Sequence, residues 1–374
     1  MKVLILHTTA NSPGILGGNY RHIYNWATLL IRNNIEVTVC LAGPHINVVK
    51  SLATQYRQAG VKTIVLNEFS SFYKAFLWKG RKEIQSIFLR EKPDIIHTLN
   101  IQSDIISAYN KKNGKYKCVS SLEGALFPLN KSIKSKLYKL LNRYYRKQID
   151  LTLSISEYTL NQHVERGDIQ KEKSRVLYSG IDLSLFPPKK NPSNECRVIG
   201  FLGRMTEGKC PDLFIKVADR LNNAGFNQKY IMGGDGHMLE TCKSMVRSFN
   251  LESQFEFVGA VANVSAFLEK IDLLLFLSER EGLPWVVLET MASNVPIIAS
   301  SVGGVPEVIK NNINGILLND NSIETVFNAT RDAIINYDEH IKMANAGRPF
   351  IEENFNSEVE IKNLIGFYNL VQSY

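Results

Sequence analysis

Two glutamates and two cations carry the chemistry most open to reading in this chain of 374 residues. Glu281 and Glu289 close the segment Glu281-Gly-Leu-Pro-Trp-Val-Val-Leu-Glu289. A carboxylate offers only acceptors, so each suits a diol or a sugar hydroxyl. An anion here would go instead to the backbone amides of Gly282 and Leu283, beside a helix start. Arg204 and Lys209 stand in Gly203-Arg-Met-Thr-Glu-Gly-Lys209, between a strand end and a helix beginning near Pro211. Two cations in such a loop form, in chemical terms, a diphosphate clamp. Taken singly, either glutamate reads equally well as a solvated loop or helix residue, and the cations as a solvated basic loop. The surrounding elements decide between these readings.

Residues 273–277 are an apolar run of strand length, followed by the charged loop Glu279-Arg-Glu-Gly282. Pro284 suits a helix start, since its φ is fixed and its missing N–H is not needed there. Residues 285–292 continue as that helix. A second buried strand at 296–299 and the turn Gly303-Gly-Val-Pro-Glu307 repeat the pattern. Strand, loop and helix twice over is the grammar of a parallel α/β sheet, in which ligands bind at the carboxyl ends of strands.

The N-terminal half has the same grammar. Residues 2–7 read as a strand, and the loop Asn11-Ser-Pro-Gly-Ile-Leu-Gly-Gly18 leads into a helix over 19–32. That helix has Tyr20, Ile23, Trp26, Leu29 and Leu30 at helical spacing. The glycines do not form G-x-G-x-x-G. Ala42-Gly-Pro44, not an acidic residue, ends the second strand at 37–41, so a nicotinamide cofactor is not expected. Pro93-Asp-Ile-Ile-His97 is a further strand whose terminal histidine reads as structural. Cys118-Val-Ser-Ser-Leu-Glu-Gly124 is the next strand and loop.

The segment from Glu281 to Glu289 resembles the E-x7-E motif of the retaining glycosyltransferases of family four. The similarity continues through Met291-Ala-Ser-Asn-Val-Pro-Ile-Ile-Ala-Ser300 and Val302-Gly-Gly-Val-Pro-Glu-Val-Ile309. Gly203-Arg204 with Lys209 resembles the family's cationic loop, with Cys210 where a glycine is usual. Val176-Leu-Tyr-Ser-Gly-Ile-Asp182 resembles the end of the family's first domain, with Ser179 in place of asparagine. Tyr230-Ile-Met-Gly-Gly-Asp-Gly236 and Phe255-Glu-Phe-Val-Gly-Ala-Val261 extend the series.

The resemblance implies an α/β protein of GT-B architecture, two Rossmann-like domains facing across a cleft. Residues 1–185 would form the acceptor domain and 195–355 the nucleotide-sugar donor domain. The proline-rich stretch 186–194 would link them, and 356–374 would cross back onto the first domain. It further implies that Glu289 holds the donor ribose and Glu281 a hydroxyl of the transferred sugar. Arg204, Lys209 and the amides of Gly282 and Leu283, ahead of Pro284, would bind the diphosphate. Gly259 would lie against the nucleobase, and Gly17 and Gly18 close to the donor phosphates. Many relatives carry a histidine where this chain has Glu123, which would contact the donor sugar or the acceptor. The donor would be a UDP- or GDP-sugar. The acceptor would be a glycan or a lipid-linked glycan in cell-surface polysaccharide or lipopolysaccharide synthesis. No separate cofactor is expected. No D-x-D pair is present to hold a metal ion, and the two cations can supply its charge. The rival readings are a nucleotide-sugar 2-epimerase and an inactive donor-binding scaffold.

Composition is that of a globular protein with room for two cores: 44% hydrophobic and 21% charged. No apolar run approaches the roughly 20 residues that span a bilayer. The opening residues do not read as a signal peptide. Five scattered cysteines fit neither a disulfide framework nor a zinc site, pointing to the reducing cytosol. A net charge of +8 suggests an anionic partner. Residues 131–147, KSIKSKLYKLLNRYYRK, read as a basic amphipathic helix without an acid, suited to an anionic membrane surface. The expected location is therefore cytoplasmic, peripheral on the inner face of the membrane. No RNA-binding module appears, so nucleic acid is not an expected partner.

Overall fold

The structure is a computed structural model that describes residues 1–8, 18–42, 46–66, 79–111, 115–124, 143–190 and 193–373. It divides into two compact units, Met1–Tyr178 with Glu360–Tyr374, and Ser179–Val359.

The first unit is built on seven strands: β1 (Lys2–Thr8), β2 (Glu36–Ala42), β3 (Lys62–Leu66), β4 (Ile95–Thr98), β5 (Lys117–Leu122), β6 (Leu151–Ser154) and β7 (Ser174–Val176). All pair in parallel, in the order β3-β2-β1-β4-β5-β6-β7. The near-continuous burial of β2, β4, β5 and β6 is what a parallel sheet covered on both faces demands. The helix Gly18–Arg32 packs Ile23, Trp26, Ala27 and Leu30 into one core. Ile361, Leu364, Tyr368 and Val371 of the C-terminal helix Ser357–Gln372 enter the same core at helical spacing.

The second unit has six strands: β8 (Val198–Leu202), β9 (Lys229–Gly233), β10 (Phe255–Gly259), β11 (Leu273–Phe276), β12 (Ile297–Ser300) and β13 (Ile316–Leu318). They are parallel, in the order β10-β9-β8-β11-β12-β13. The helix Pro211–Asn223 starts on its proline and buries Phe214, Ile215, Val217, Ala218 and Leu221 against this sheet. In each sheet the strand order reverses once, between β1 and β4 and between β8 and β11. Such switch points open a crevice at the carboxyl ends of the two strands, where loops and helix starts meet a ligand.

The stretch expected as a linker lies within the second unit, where its described residues are tied down. The Lys189 ammonium pairs with the Asp272 carboxylate at 2.9 Å and donates to the Ile271 carbonyl at 2.7 Å. The Arg348 guanidinium donates to the Phe186 carbonyl at 2.7 Å. Just before it, the Ile181 N–H donates to the Phe355 carbonyl at 2.9 Å.

Most of the basic segment 131–147 lies outside the described residues, which resume at 143. There Arg146 is buried and ion-paired with Asp104 at 2.5 Å. It is therefore not part of a basic face, because a guanidinium out of water needs a carboxylate beside it. No described helix is long and apolar enough to cross a membrane. All five cysteines are buried thiols.

Candidate functional site

Arg204 and Lys209 lie on the loop that follows β8, one side of the second sheet's switch point. This loop is laced to the one after β9. The Gly203 N–H donates to the Gly233 carbonyl at 3.0 Å, the Met205 N–H to Asp235 at 2.9 Å, and the Met238 N–H to Met205 at 3.0 Å. Gly234, at φ +136°, allows this approach, since a Cβ there would sit on the Gly203 carbonyl oxygen. A single 3-10 turn, Glu207–Lys209, then leads to Cys210, which adopts the left-handed conformation at φ 51° before the helix Pro211–Asn223. A side chain in that conformation is strained, which fits the glycine that the family resemblance leads one to expect there. Arg204 is exposed and, among the described residues, has no carboxylate partner.

Glu281 lies on the loop after β11, the other side of the switch point. The base of this loop is fixed by the Ser278 N–H donating to Ser300 Oγ at 3.1 Å and by Asn321 Nδ2 donating to the Ser278 carbonyl at 3.2 Å. The Glu279 N–H donates to the Gly208 carbonyl at 3.0 Å and so joins the two loops. On the far side the Gly304 N–H donates to the Gly282 carbonyl at 2.8 Å. Gly303, at φ +59°, packs so closely that a Cβ would meet the Glu281 carbonyl oxygen. The outcome is a direct ion pair between the Lys209 ammonium and Glu281 Oε1, side chains 72 positions apart in sequence. The ammonium also lies 5.5 Å from the Phe276 ring centroid.

Gly282, Leu283 and Pro284 are buried as the loop turns into the helix Trp285–Ala292, with Pro284 at its N-cap. Glu289 is 1% exposed in that helix, so it is not a solvated helix residue. Gly259 ends β10 at φ +67°, with open space where a side chain would be, and its carbonyl accepts from the Gly234 N–H at 2.7 Å. The second unit thus brings Arg204, Lys209, Glu281, Gly282 and Leu283 onto two adjoining loops.

The first unit has its own polar set at its switch point. Gly18 begins the helix after β1, whereas Gly17 lies outside the described residues. Glu123 follows β5, and its Oε2 accepts from His22 Nδ1 at 2.9 Å. The other ring nitrogen, His22 Nε2, donates to Glu360 Oε1 at 2.6 Å, and the Trp26 indole N–H donates to the same oxygen at 2.8 Å. Burial alone would lower the His22 pKa, but Glu360 and Glu123 outweigh it and raise the value to about 10. His22 is then an imidazolium with both N–H groups engaged. His97 is fully buried between Tyr368 OH at 2.6 Å and Ser121 Oγ at 2.8 Å, and stacks on Trp26. Burial, reinforced by the His22 charge, lowers its pKa to about 3.

Sequence reasoning did not single out His7, His22 or Glu360. Neither histidine stands in a motif, and Glu360 lies 338 positions from the ring it holds.

Residues 16–185 match the family model Glycosyltransferase Family 4, and residues 185–350 match Glycosyl transferases group 1. In chain order the two halves thus each match a glycosyltransferase family model, together over residues 16–350. The N-acetyl-alpha-D-glucosaminyl L-malate synthase of Bacillus anthracis is 26% identical over 79% of this chain and 80% of its own length. The UDP-Gal:alpha-D-GlcNAc-diphosphoundecaprenol alpha-1,3-galactosyltransferase of Escherichia coli is 24% identical over 70% and 73%. Among solved structures, Anabaena Alr3699/HepE in complex with UDP superimposes with a TM-score of 0.83 at 17% identity, covering 99% of this chain and 100% of that one. The fold is therefore that of the GT-B glycosyltransferases, each half a Rossmann-like parallel sheet.

Proposed function

We propose that this glycosyltransferase moves a sugar from a nucleotide-sugar donor to a glycan or lipid-linked acceptor in cell-surface polysaccharide synthesis, with retention of anomeric configuration. The observation that carries the reading is the convergence of Arg204, Lys209 and Glu281 on the two loops at the second sheet's switch point, where a Rossmann-like sheet takes its ligand. Bacterial relatives acting on nucleotide sugars and diphospholipid acceptors support the substrate class. The UDP bound by the Anabaena protein favours UDP, with GDP the alternative to test. Retention rests on the family resemblance.

In this reading the second unit holds the donor. Arg204, Lys209 and the amides of Gly282 and Leu283 receive the diphosphate. The ribose hydroxyls donate to Glu289, and Gly259 leaves its open face to the base. As the bond from the anomeric carbon to the diphosphate oxygen breaks, its electron pair stays on that oxygen, the acceptor hydroxyl oxygen forms the new bond to the anomeric carbon, and the hydroxyl proton passes to the leaving diphosphate. Negative charge grows on the leaving diphosphate, so the two cations act where the transition state differs most from the ground state. They supply there what a divalent ion would, and turnover is expected to persist in EDTA. Glu281 releases Lys209 partly to the phosphate and accepts from a hydroxyl of the transferred sugar. A peripheral site on an anionic membrane through 131–147 belongs to the same proposal, with Arg146 removed from the count.

The test is a calorimetric and thermal-shift panel of UDP, GDP and their sugars on the whole chain, followed by product analysis with any donor that binds. Binding by one nucleotide series and formation of a glycoside is the expected result. No binding at millimolar concentration overturns the donor site, and an isomerised free nucleotide sugar as the product assigns the chain to the epimerases.

A further inference from the structure

The loop that carries Glu281 leaves β11 where the strand's ladder ends. The last register pair of β11 with β12 is Phe276 with Ala299, and Ser278 lies beyond it. Side chains take over there. The Ser278 N–H donates to Ser300 Oγ at 3.1 Å, and the Ser278 carbonyl accepts from Asn321 Nδ2 at 3.2 Å. Ser300 Oγ in turn donates to Asn321 Oδ1 at 2.6 Å. Ser278 and Ser300 are each 1% exposed. Groups from the ends of β11, β12 and β13 thus close a ring of hydrogen bonds, with Asn321 reaching past β12 to touch Ser278.

The ring needs an amide at position 321. The Ser278 carbonyl only accepts, so the amide nitrogen faces it and the amide oxygen faces Ser300. The Ser300 hydroxyl has one hydrogen, which goes to the near Asn321 oxygen and not to the Phe276 carbonyl at 3.3 Å. Its lone pairs receive the Ser278 N–H. One short side chain therefore gives a hydrogen bond to one loop root and takes one from another. An ionised aspartate of the same size has no hydrogen to give and would set an oxygen against the carbonyl. The turn holding Asn321 is itself fixed. Asp320 accepts from the Ser322 N–H at 2.7 Å, and Ser322 caps the helix Ile323–Ile335.

What the ring governs lies a few residues further out. The loops after β11 and β12 meet again where the Gly304 N–H donates to the Gly282 carbonyl at 2.8 Å, with Gly303 against the Glu281 carbonyl. Ser278 to Gly282 and Ser300 to Gly304 are spans of equal length, tied at the root by Asn321 and at the tip by that bond. Glu281 and the Gly282 amide lie on the first span, and Leu283 follows at once. Loosening the root frees the backbone that sets where these groups stand.

We propose that Asn321 is the positioning residue of the Glu281 loop, setting the spacing of the loops after β11 and β12 and so the placing of the Gly282 and Leu283 amides on the terminal phosphate of a nucleoside diphosphate. Asn321 acts through Ser278 and Ser300 and touches no reacting atom. The inference rests on the donor reading of the second unit and adds the residue that tunes its grip on the diphosphate.

The experiment titrates the whole chain with UDP and UMP by calorimetry, GDP and GMP taking their places if GDP is the nucleotide bound. Wild type is compared with Asn321→Ala, Asn321→Asp, Ser300→Ala and the double variant Ser300→Ala/Asn321→Ala. The ratio of UDP to UMP affinity should fall about three- to tenfold in Asn321→Ala, the usual effect of one lost hydrogen bond, and at least as far in Asn321→Asp. UMP, which lacks the terminal phosphate, should bind as in the wild type. Ser300→Ala should lower the ratio too, and the double variant no further than the worse single one, since both break the same ring. Asn321 is half-buried on a loop, so Asn321→Ala keeps the test open if Asn321→Asp or Ser300→Ala fails to fold. A ratio unmoved in the folded variants, with only Tm lowered, overturns the positioning role and leaves the donor reading standing. Single effects that add in the double variant overturn the ring as one unit. No nucleotide binding by the wild type overturns the donor reading and this inference with it.

Discussion

Lys209, on the loop after β8, and Glu281, on the loop after β11, form an ion pair at the second sheet's switch point, with side chains 22% and 12% exposed. The pair joins the group assigned to the diphosphate with the group assigned to the sugar. It keeps each charge compensated while no donor is bound.

Removing one partner leaves the other poorly compensated, so Lys209→Met should do two things. Turnover should fall by about 10²- to 10³-fold, the usual effect of losing one donor to a developing oxyanion. Stability should fall by about 1–2 kcal/mol, less than for a fully buried pair because both groups keep some solvent. Initial rates and urea unfolding check these together, and wild-type kinetics in the variant would exclude Lys209 from the mechanism.

Arg204 offers the contrasting case. It is exposed and has no carboxylate partner among the described residues, so Arg204→Ala should leave the unfolding free energy within the scatter of surface substitutions, about ±0.5 kcal/mol. Its effect should appear only with the donor, as a loss of about 10²-fold or more in kcat/KM. A Tm change without a kinetic one would assign the residue to the fold instead.

Gly303→Ala acts on Glu281 through the backbone. The φ of +59° disfavours a side chain, and the added Cβ has no room beside the Glu281 carbonyl. The variant should lose more than about 2 kcal/mol in stability, and any folded fraction should bind nucleotide sugar more weakly. Calorimetric Tm with and without donor separates the two effects.

Glu289→Gln keeps the volume of a buried side chain and removes its charge. Hydrogen bonds to charged groups contribute about 1.5–3 kcal/mol, so UDP should bind roughly tenfold or more weakly. The variant should also discriminate less between UDP and its 2′-deoxy analogue. Unchanged discrimination would mean that Glu289 does not face the ribose.

The first unit should have a stability optimum in pH. The His22 pKa is raised to about 10, above its ordinary value of 6.5, so its contribution is complete below 6.5 and is lost as pH rises towards 10. His7 and His97 are lowered to about 4 and about 3, so the unfolded chain binds the protons they refuse, and stability falls as pH drops below 6.5. Tm measured from pH 4 to 10 should pass through a maximum, and His22→Gln should flatten mainly the alkaline limb, with a smaller easing of the acid limb because its charge helps to lower the His97 pKa.

Local pattern and backbone chemistry were enough to locate the second unit's elements. Apolar runs of strand length, Pro211 and Pro284 at helix starts, and glycines at loop turns act within a few residues, so they are legible in one dimension. Arg204, Lys209, Glu281 and Glu289 were likewise visible as residue types beside strand ends. Sequence could not show that Lys209 and Glu281 pair, because strand order, not sequence distance, makes β8 and β11 neighbours. Nor could it show that Glu289 is buried, that Arg146 is neutralised by Asp104, or that Lys189 and Phe186 of the expected linker are held by Asp272 and Arg348. The clearest case is Glu123, read from sequence as one unusual loop glutamate. Its meaning depends on His22 from the first helix and Glu360 from the last, which packing alone brings to the same carboxylate–imidazolium set.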